Sequence, residues 1–372
     1  MIQYIIEFVI VIVGLVMTGI LFYRIPILPR ATKRDRSDLR LSIIIPARNE
    51  EHTLPLLLQD LAEQELSPLE IICVDDGSED STAKVAAGFG VSVIRLTEKP
   101  KGWIGKSWAC HNGSKAAKGE LLLFLDADVR LRPQGIASII TAYEESRCTV
   151  SVQPYHQTKR IYESFSLLIN LLQIAANGVA LPRQHSAGII GPAILISRSD
   201  YQKIGGHESV RNIAVEDMAL GRRLRKEGLR YRIFVGNREV SFRMYAGGFR
   251  ALFQGWVKNI ATGATSTPPV VFAMVFLWMT SMISVPVQLL KFAMLGEWGY
   301  FSVYGILYVI WVILLVMVSR KIGKFGVIST IFYPVIMFVT LMIMTVSAYK
   351  KLFHRKVIWK GRDIGSEEKP CE

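Results

Sequence analysis

The chain has 372 residues, 51% of them hydrophobic, and carries a net charge of +13; its mean hydropathy is +0.31. That composition excludes an ordinary soluble enzyme, and the length allows one large or two modest domains. A basic balance marks either a nucleic-acid binder or the cytoplasmic face of a membrane protein. No basic run is interleaved with aromatic residues, so no nucleic-acid partner is expected.

Cys73, Cys110, Cys148 and Cys371 are scattered, with no C-x-x-C pair, which excludes a disulfide framework and leaves free thiols. Cys110 beside His111 lacks the second ligand pair of a zinc site. Residues 1–23 carry one charge, Glu7, and are long enough to span a bilayer, which takes about 20 residues. With no basic start and no small-residue cleavage site, they read as a retained anchor and not a signal peptide. Residues 24–40 hold six Lys/Arg against two Asp, so the segment after the anchor is expected in the cytoplasm.

Leu41–Pro46 is a buried strand that ends in the polar turn Ala47-Arg48-Asn49-Glu50. Leu54, Leu57, Leu58 and Leu61 then repeat at helical spacing over 51–64. Glu70–Val74 is a second strand, ending in Asp75-Asp76-Gly77-Ser78, with Ser78 or Asp80 placed to cap a helix over 81–87. A third strand covers 91–96, and a basic, glycine-bearing loop with Lys106 precedes the next helix. Leu121–Leu125 then runs straight into Asp126-Ala127-Asp128. Uninterrupted apolar runs alternating with helices predict an α/β fold with a mostly parallel sheet. In an extended chain residues i and i+2 point the same way, so Asp126 and Asp128 are expected to share one task. Buried carboxylates require a cleft, a metal or a cationic partner, and this pair suits Mg²⁺ or Mn²⁺ holding a diphosphate. Ligands of such sheets bind beyond the carboxyl ends of the strands, where Asn49, Asp75, Asp76, Lys106, Asp126 and Asp128 all fall. Neither a dinucleotide glycine fingerprint nor a phosphate-loop motif is present.

A further strand covers 150–154. Residues 161–181 are apolar nearly all round, which fits either a buried core helix or a helix lying on the membrane. Gly188 and Gly191 lead into the strand-like Ala193–Ile196 and would allow close backbone approach to a ligand. Glu216-Asp217 opens a helix with Leu220 and Leu224 on one face; acids there suit the helix dipole or a general base. Residues 243–258 mix aromatic and cationic residues, which suits an amphipathic interfacial helix or stacking and charge for a diphosphate leaving group. From Val270 three uncharged stretches, 270–290, 300–319 and 326–349, are each long enough to span, and six Lys/Arg lie in 350–362. If all four candidates crossed, the basic tail would lie outside against the positive-inside rule, so either one falls short, with Pro334 pointing to 326–349, or the rule is broken. The expected organisation is an anchor (1–23), a basic linker (24–40), a cytoplasmic domain (41–260), a membrane domain (261–349) and a basic tail (350–372).

Pro46-Ala-Arg-Asn-Glu50, Val74-Asp-Asp-Gly-Ser78, Asp126-Ala-Asp128, Gly205-Gly206 followed by Glu216-Asp217, and Gln254-Gly-Trp256 resemble, in combination and order, the inverting glycosyltransferases of family 2. The resemblance implies a nucleotide-diphospho-sugar transferase (GT-A-like) fold, with transmembrane helices here at both ends. It implies that Asp76, with Pro46, Ala47 and Glu50, receives the base of a UDP-sugar, and that Lys106 and Asp126 lie on the nucleotide-sugar. Asp128 would hold Mg²⁺ or Mn²⁺. Asp217 would be the general base, oriented by Glu216. Gln254 and Trp256 would stand for the Q-x-x-R-W motif of processive synthases, with altered spacing and no adjacent Arg, which favours a single transfer. Residues 151–156, 158–160, 242–245 and 359–362 are similar to bacterial glycosyltransferases acting on a carotenoid acid, 4,4′-diaponeurosporenoate. That similarity implies glucose moved to a C30 carotenoid acid at the cell membrane. Ceramide, hopanoid or diacylglycerol acceptors, a processive polysaccharide synthase and a non-catalytic membrane adaptor are the alternatives.

Overall fold

The computed structural model describes residues 2–32, 38–182, 186, 188–263, 267–353, 358–359 and 362–363. The middle of the basic linker, His185, Cys371 and most of the basic tail lie outside the described residues. In chain order the elements are α1 (Ile2–Leu21), β1 (Leu41–Ala47), α2 (Leu54–Ala62), β2 (Glu70–Asp75), α3 (Thr82–Gly88), β3 (Ser92–Arg95), α4 (Gly105–Ala116), β4 (Leu121–Leu125), β5 (Val129–Leu131), α5 (Gly135–Ser146), β6 (Thr149–Gln153) and β7 (Tyr155–His156). They continue with α6 (Ser166–Asn177), β8 (Ala193–Ser197), α7 (Arg198–Lys203), α8 (Glu216–Lys226), β9 (Tyr231–Val235), β10 (Val240–Phe242), α9 (Phe249–Gly263), α10 (Pro269–Leu295), α11 (Trp298–Ile322), α12 (Val327–Ile331), α13 (Tyr333–Leu352) and the short pair β11 (Ile358–Trp359) and β12 (Arg362–Asp363). Short 3-10 turns precede α6 and α8.

Two compact units result: an α/β unit of Ile27–Tyr155, Gly188–Met244 and Lys350–Glu372, and a helical unit of Met1–Pro26, His156–Ala187 and Tyr245–Tyr349. These units are cut at other positions than the expected boundaries at 40/41 and 260/261. Much of the linker joins the α/β unit, where the Leu28 N–H bonds to the Val235 carbonyl at 2.8 Å. Residues 156–187 leave it because α6 is apolar on nearly every side and needs cover all round. It packs against α10 and α11 with Leu167, Leu168, Ile169, Leu171 and Ile174 buried, so it is a core helix and not one lying on the membrane.

The large sheet has the order β3-β2-β1-β4-β8-β6-β9, and β8 alone runs against the rest. Alternation of side chains along the strands serves two cores. Ile43, Ile45, Leu121, Leu123 and Leu125 meet Leu54, Leu57, Leu58 and Leu61 of α2 and Ile136, Ile139 and Ile140 of α5. Ile44, Leu122 and Phe124 meet Ala109 and Cys110 of α4 and Leu220 and Leu224 of α8. Each fully buried aliphatic side chain contributes about 1.5–3 kcal/mol, which explains why these runs are apolar on both faces. From β1 the chain steps outward to β2 and β3, then returns to place β4 on the other side of β1. The carboxyl ends of β1 and β4 thus form a topological switch point, where the crossovers diverge and leave a crevice.

In the helical unit α1 packs on α10, and α10 on α11. Gly14 lets α1 and α10 approach: a methyl there would lie 2.0 Å from Ser281 Cβ, and Ser281 Oγ donates to the Val11 carbonyl at 3.2 Å. Pro286 lies inside α10 and has no N–H for the carbonyl four residues back. That carbonyl, on Met282, instead accepts from the Tyr333 hydroxyl at 3.2 Å. The stretch 326–349 is not one helix. It breaks at Phe332, and Pro334 falls in the first turn of α13, where its missing N–H costs nothing. α1, α10, α11 and α13 are each long and apolar enough to cross a membrane. The ends of α1 and α11 both bond to the 156–187 segment, through Arg24 N–H to the Ala180 carbonyl (3.1 Å) and Lys324 N–H to the His156 carbonyl (2.7 Å). Glu7 and Lys291, one charge each on α1 and α10, pair at 3.3 Å, with the ammonium 5.0 Å from the Tyr4 ring centroid.

Removing one partner of a poorly hydrated ion pair strands the other charge. Lys291→Met is expected to lower the stability of the detergent-solubilised protein by about 2 kcal/mol, between the exposed and fully buried cases. Glu7→Gln combined with Lys291→Met should recover most of it. Thermal unfolding of the parent and the two variants checks this; a double variant no better than the single would remove the pair as the cause.

Candidate active site

Two turns make one wall of the crevice. After β1, Asn49 adopts the left-handed conformation (φ 51°) and its side-chain oxygen accepts the Glu79 N–H at 2.9 Å. Arg48 donates to the carbonyls of Asp76 (2.7 Å) and Gly77 (2.9 Å). The Asp76 N–H returns a bond to the Ala47 carbonyl at 2.9 Å, and Glu50 N–H donates to Thr82 Oγ1 at 2.8 Å. Asp75 holds its own turn by accepting the Ser78 N–H at 3.0 Å. Of the two expected caps for α3, Asp80 makes the bond, to the Thr82 N–H at 2.9 Å. Pro46 lies past the last β1–β4 pair, Ile44 with Phe124, so its missing N–H breaks no bond to β4. Pro46, Ala47, Glu50 and Asp76 are thus together as expected, with Asp76 buried and the Glu50 carboxylate bonded by the Thr53 hydroxyl.

The second wall starts at β4. Asp126 and Asp128 are not on an extended strand: β4 stops at Leu125, and the Val129 N–H bonds back to the Asp126 carbonyl at 3.1 Å. Alternation therefore does not align their side chains, and the expectation that it would is corrected. The turn is pinned on both sides. The Asp126 N–H bonds to the Pro192 carbonyl at 2.9 Å, and Arg130 makes a forked pair with Asp60 of α2 at 2.5 and 2.8 Å. Asp60 and Arg130 were not singled out from sequence; the one available signal was a carboxylate on the leucine-lined side of α2.

Lys106, in the first turn of α4, supplies the cationic partner that Asp126 requires. Its ammonium lies 2.7 Å from Asp126 Oδ1 and 3.2 Å from Glu216 Oε1. Glu216 and Asp217 open α8, which two glycines allow to sit close. A methyl on Gly221 would lie 2.5 Å from the Ile189 amide nitrogen, and one on Gly188 would lie 2.7 Å from Met218 Cα. The close approach expected at Gly188 and Gly191 is thus made by the protein's own helix. Asp217 Oδ1 accepts the Met218 N–H at 2.7 Å, and Oδ2 faces Gly191, where a methyl would come within 2.9 Å of it and 3.3 Å of the Lys106 ammonium. The cluster is reachable: the side chains of Lys106 and Asp126 keep 33% and 27% of their surface exposed, against 9% for Glu216.

Three carboxylates here share one ammonium, and both bonds of that ammonium go to Asp126 and Glu216. Burial works to lower the Lys106 pKa, but Asp126 and then Glu216 outweigh it and hold the ammonium well above its usual range. Asp217 is pushed up to about 7, first by burial and then by the Glu216 charge, with Lys106 and the Met218 N–H only partly opposing. Burial also keeps the neighbouring Cys110 thiol protonated.

Gln254 and Trp256 belong to α9, in the helical unit. Gln254 is exposed. Trp256 is fully buried, its indole N–H donating to Ser166 Oγ at 2.9 Å, which occupies its one polar atom. Phe249 and Arg250 are exposed on the same helix while Leu252 and Val257 are buried, so the amphipathic helix expected over 243–258 begins only at Phe249, after a turn.

The model of glycosyl transferase family 2 matches residues 42–205. The chain is 34% identical over 336 residues to 4,4′-diaponeurosporenoate glycosyltransferase of Staphylococcus aureus strain USA300, covering 87% of each chain. The chain belongs to glycosyltransferase family 2. The same identity and coverage hold for the protein of that name from strain MRSA252. Among solved structures, the mannosyltransferase PcManGT from Pyrobaculum calidifontis in complex with GDP-Man and Mn²⁺ is similar at 16% identity and a TM-score of 0.49, over 92% of this chain and 99% of that one. Glucosyl-3-phosphoglycerate synthase from Mycobacterium tuberculosis is similar at 19% identity and a TM-score of 0.42, over 61% and 79%. This family 2 protein is a glycosyltransferase, and its motifs at 46–50, 74–78, 126–128 and 216–217 lie on the two walls described above.

Gly191 tests the geometry. A methyl there meets the ends of two movable side chains, not backbone, so Gly191→Ala should fold normally while displacing Asp217 Oδ2. Misplacement by about 1 Å costs on the order of 100-fold in turnover. Gly221→Ala meets backbone and should lower the unfolding temperature instead. Turnover and thermal midpoints of both variants check this; a Gly191→Ala enzyme of normal rate would show that the Asp217 position does not matter.

Proposed function

We propose that this protein transfers glucose, with inversion, from UDP-glucose to an apolar acceptor held in the membrane, a C30 carotenoid acid of the 4,4′-diaponeurosporenoate type. The observation that carries this reading is the 34% identity across 87% of the chain to the enzymes named for that acceptor. Four helices long and apolar enough to span support a membrane acceptor. The nucleotide is assigned to the crevice lined by Pro46, Ala47, Glu50 and Asp76, with the diphosphate and sugar toward Asp126 and Lys106. For Gln254 and Trp256 a donor-binding role rests on motif alone.

The acids fit a divalent cation of one kind. Among the described residues no group of three or more His, Cys, Asp or Glu could hold a metal by itself, and Asp126 is already paired with Lys106. Mg²⁺ and Mn²⁺ sites of nucleotide enzymes take one or two carboxylates and complete the shell with substrate phosphates and water. Asp128 would hold such an ion, which neutralises charge on the leaving diphosphate. Lys106 and Asp126 orient the donor, and Asp217 and Glu216 face the acceptor.

The catalytic unit is assigned to the cytoplasm, because the basic run after α1 follows the positive-inside rule. Crossing by α1, α10 and α11 puts that run, the Arg320–Lys324 run and the basic tail on one side. The basic tail then assigns α13 as the helix that falls short.

The test uses membranes containing the full chain, UDP-glucose with Mn²⁺ or Mg²⁺, and a C30 carotenoid acid. Acid-dependent UDP release with a glucosyl ester in the extract is expected. Turnover only with ceramide, hopanoid or diacylglycerol, or a polymer product, would overturn the acceptor assignment. No UDP release with any acceptor would sink catalysis itself.

A further inference from the structure

An acceptor carboxylate poses a problem that a hydroxyl does not. It enters as an anion, near Asp126, Glu216 and Asp217. Those three acids have one ammonium between them, and Lys106 is already bonded to two of them, Asp126 and Glu216. Of the cluster, Asp217 is the carboxylate that makes no direct ion pair with Lys106. Its Oδ1 is held by the Met218 N–H, and its Oδ2 lies beside Gly191, which has no side chain to cover it. A like-charged set relieves repulsion by keeping one proton on its least compensated member.

Resting on the acceptor reading above, we infer that Asp217 works in its protonated form, donating a hydrogen bond from Oδ2 to the carboxylate of the acceptor, and not as a general base. The step balances without it. A lone pair on the acceptor carboxylate forms the bond to the anomeric carbon, the bond from that carbon to the diphosphate oxygen breaks, and its electron pair leaves with UDP. No proton is released, so none needs an acceptor. A hydroxyl acceptor would release one, and Asp217 would then have to be ionised. The same residue is asked for opposite states by the two acceptor classes.

The groups that face Asp217 are Glu216 on its own helix, Lys106 on α4 and Asp126 after β4, while Cys110 of α4 acts on Lys106. With Cys110 protonated and Lys106 charged throughout the working range, the proton lost near 7 is one that Asp217 shares with the acids around it. The sign follows. Below about 7 Asp217 keeps its proton, while an acceptor carboxyl, with an ordinary value of about 4.3, is already ionised. Turnover with an acid acceptor is therefore highest between these values and falls as pH rises through about 7. With a hydroxyl acceptor it would rise through the same value.

The experiment measures turnover of the full-length protein in membranes from pH 5 to pH 9, with UDP-glucose, Mn²⁺ and either a C30 polyene acid or the matching C30 polyene alcohol. Asp217→Asn and Asp217→Ala are compared with the parent. With the acid, a limb descending through about 7 is expected. Asn still offers an N–H donor, so Asp217→Asn should lose less than about tenfold and lose that limb. Ala offers none and should lose roughly 10–100-fold, the worth of a hydrogen bond to a charged group. Ester formation whose rate rises through 7 and collapses in Asp217→Asn would overturn the inference and leave the acceptor reading standing. Absence of ester in every protein, with turnover of the alcohol or another lipid, would overturn the acceptor reading instead. UDP binding by each variant reports folding; should Asp217→Asn fail to bind, the slope of the parent's profile decides alone.

Discussion

One ammonium among three carboxylates is the constraint on which the site depends. Asp126, Glu216 and Asp217 come from segments about 90 residues apart in sequence, and folding brings them into one crevice. Two unit charges at 4 Å interact by about 4 kcal/mol at the effective dielectric of a protein surface. Uncompensated, three acids would oppose the fold by a large part of its net stability. Lys106 compensates two of them directly, and a proton on Asp217 is the least costly way to settle the third. The protonation state of Asp217 is thus a consequence of how α4, β4 and α8 converge.

That convergence was legible in part. The runs at 41–47, 70–75 and 121–125 announced themselves because strands buried on both faces must be apolar throughout, and their acidic ends announced the crevice. The strand β8 read correctly as a strand, but nothing in Ala193–Ile196 shows that it runs against its neighbours. Direction is decided by where α6 and its flanking segments leave the sheet and return. α5 and the β5–β10 ribbon escaped notice because short or mixed segments carry no clear period. Asp126 and Asp128 were found as a pair for a reason that fails in detail: the strand ends before them. Their neighbourhood is set instead by long-range bonds, Asp60 with Arg130 and Pro192 with Asp126, which no local pattern encodes. Lys106 illustrates the same point. Its residue type fitted a donor site, but its pairing with Glu216 exists only once α8 is docked against Gly188.

The helical unit shows why composition alone could not draw its boundaries. Residues 156–187 lie in the middle of a stretch that reads as catalytic, yet α6 is too apolar to end anywhere but inside a bundle. The four spanning candidates are equally incomplete as a description. Without water, each backbone group must find a partner within the protein. Pro286 leaves the Met282 carbonyl without one, and Tyr333, from a helix some fifty residues on, supplies it. Glu7 and Lys291 obey the same logic for charge, each tolerable in an apolar bundle because the other is there.

The acids of the crevice connect acceptor chemistry to proton inventory. A base is needed only where the nucleophile arrives with a proton. A carboxylate of ordinary acidity arrives without one, as a weak nucleophile whose difficulty is electrostatic: it must approach a site already rich in negative charge while a diphosphate departs with more. An enzyme for such an acceptor gains little from an ionised Asp217, which would repel the group it serves. It gains from a neutral donor that holds the carboxylate and removes one charge from the encounter. Lys106, by engaging Asp126 and Glu216 and not Asp217, leaves that donor available. Whether Asp217 serves as base or donor is therefore not a detail beneath the question of the substrate. It is the same question, posed at one oxygen atom over Gly191.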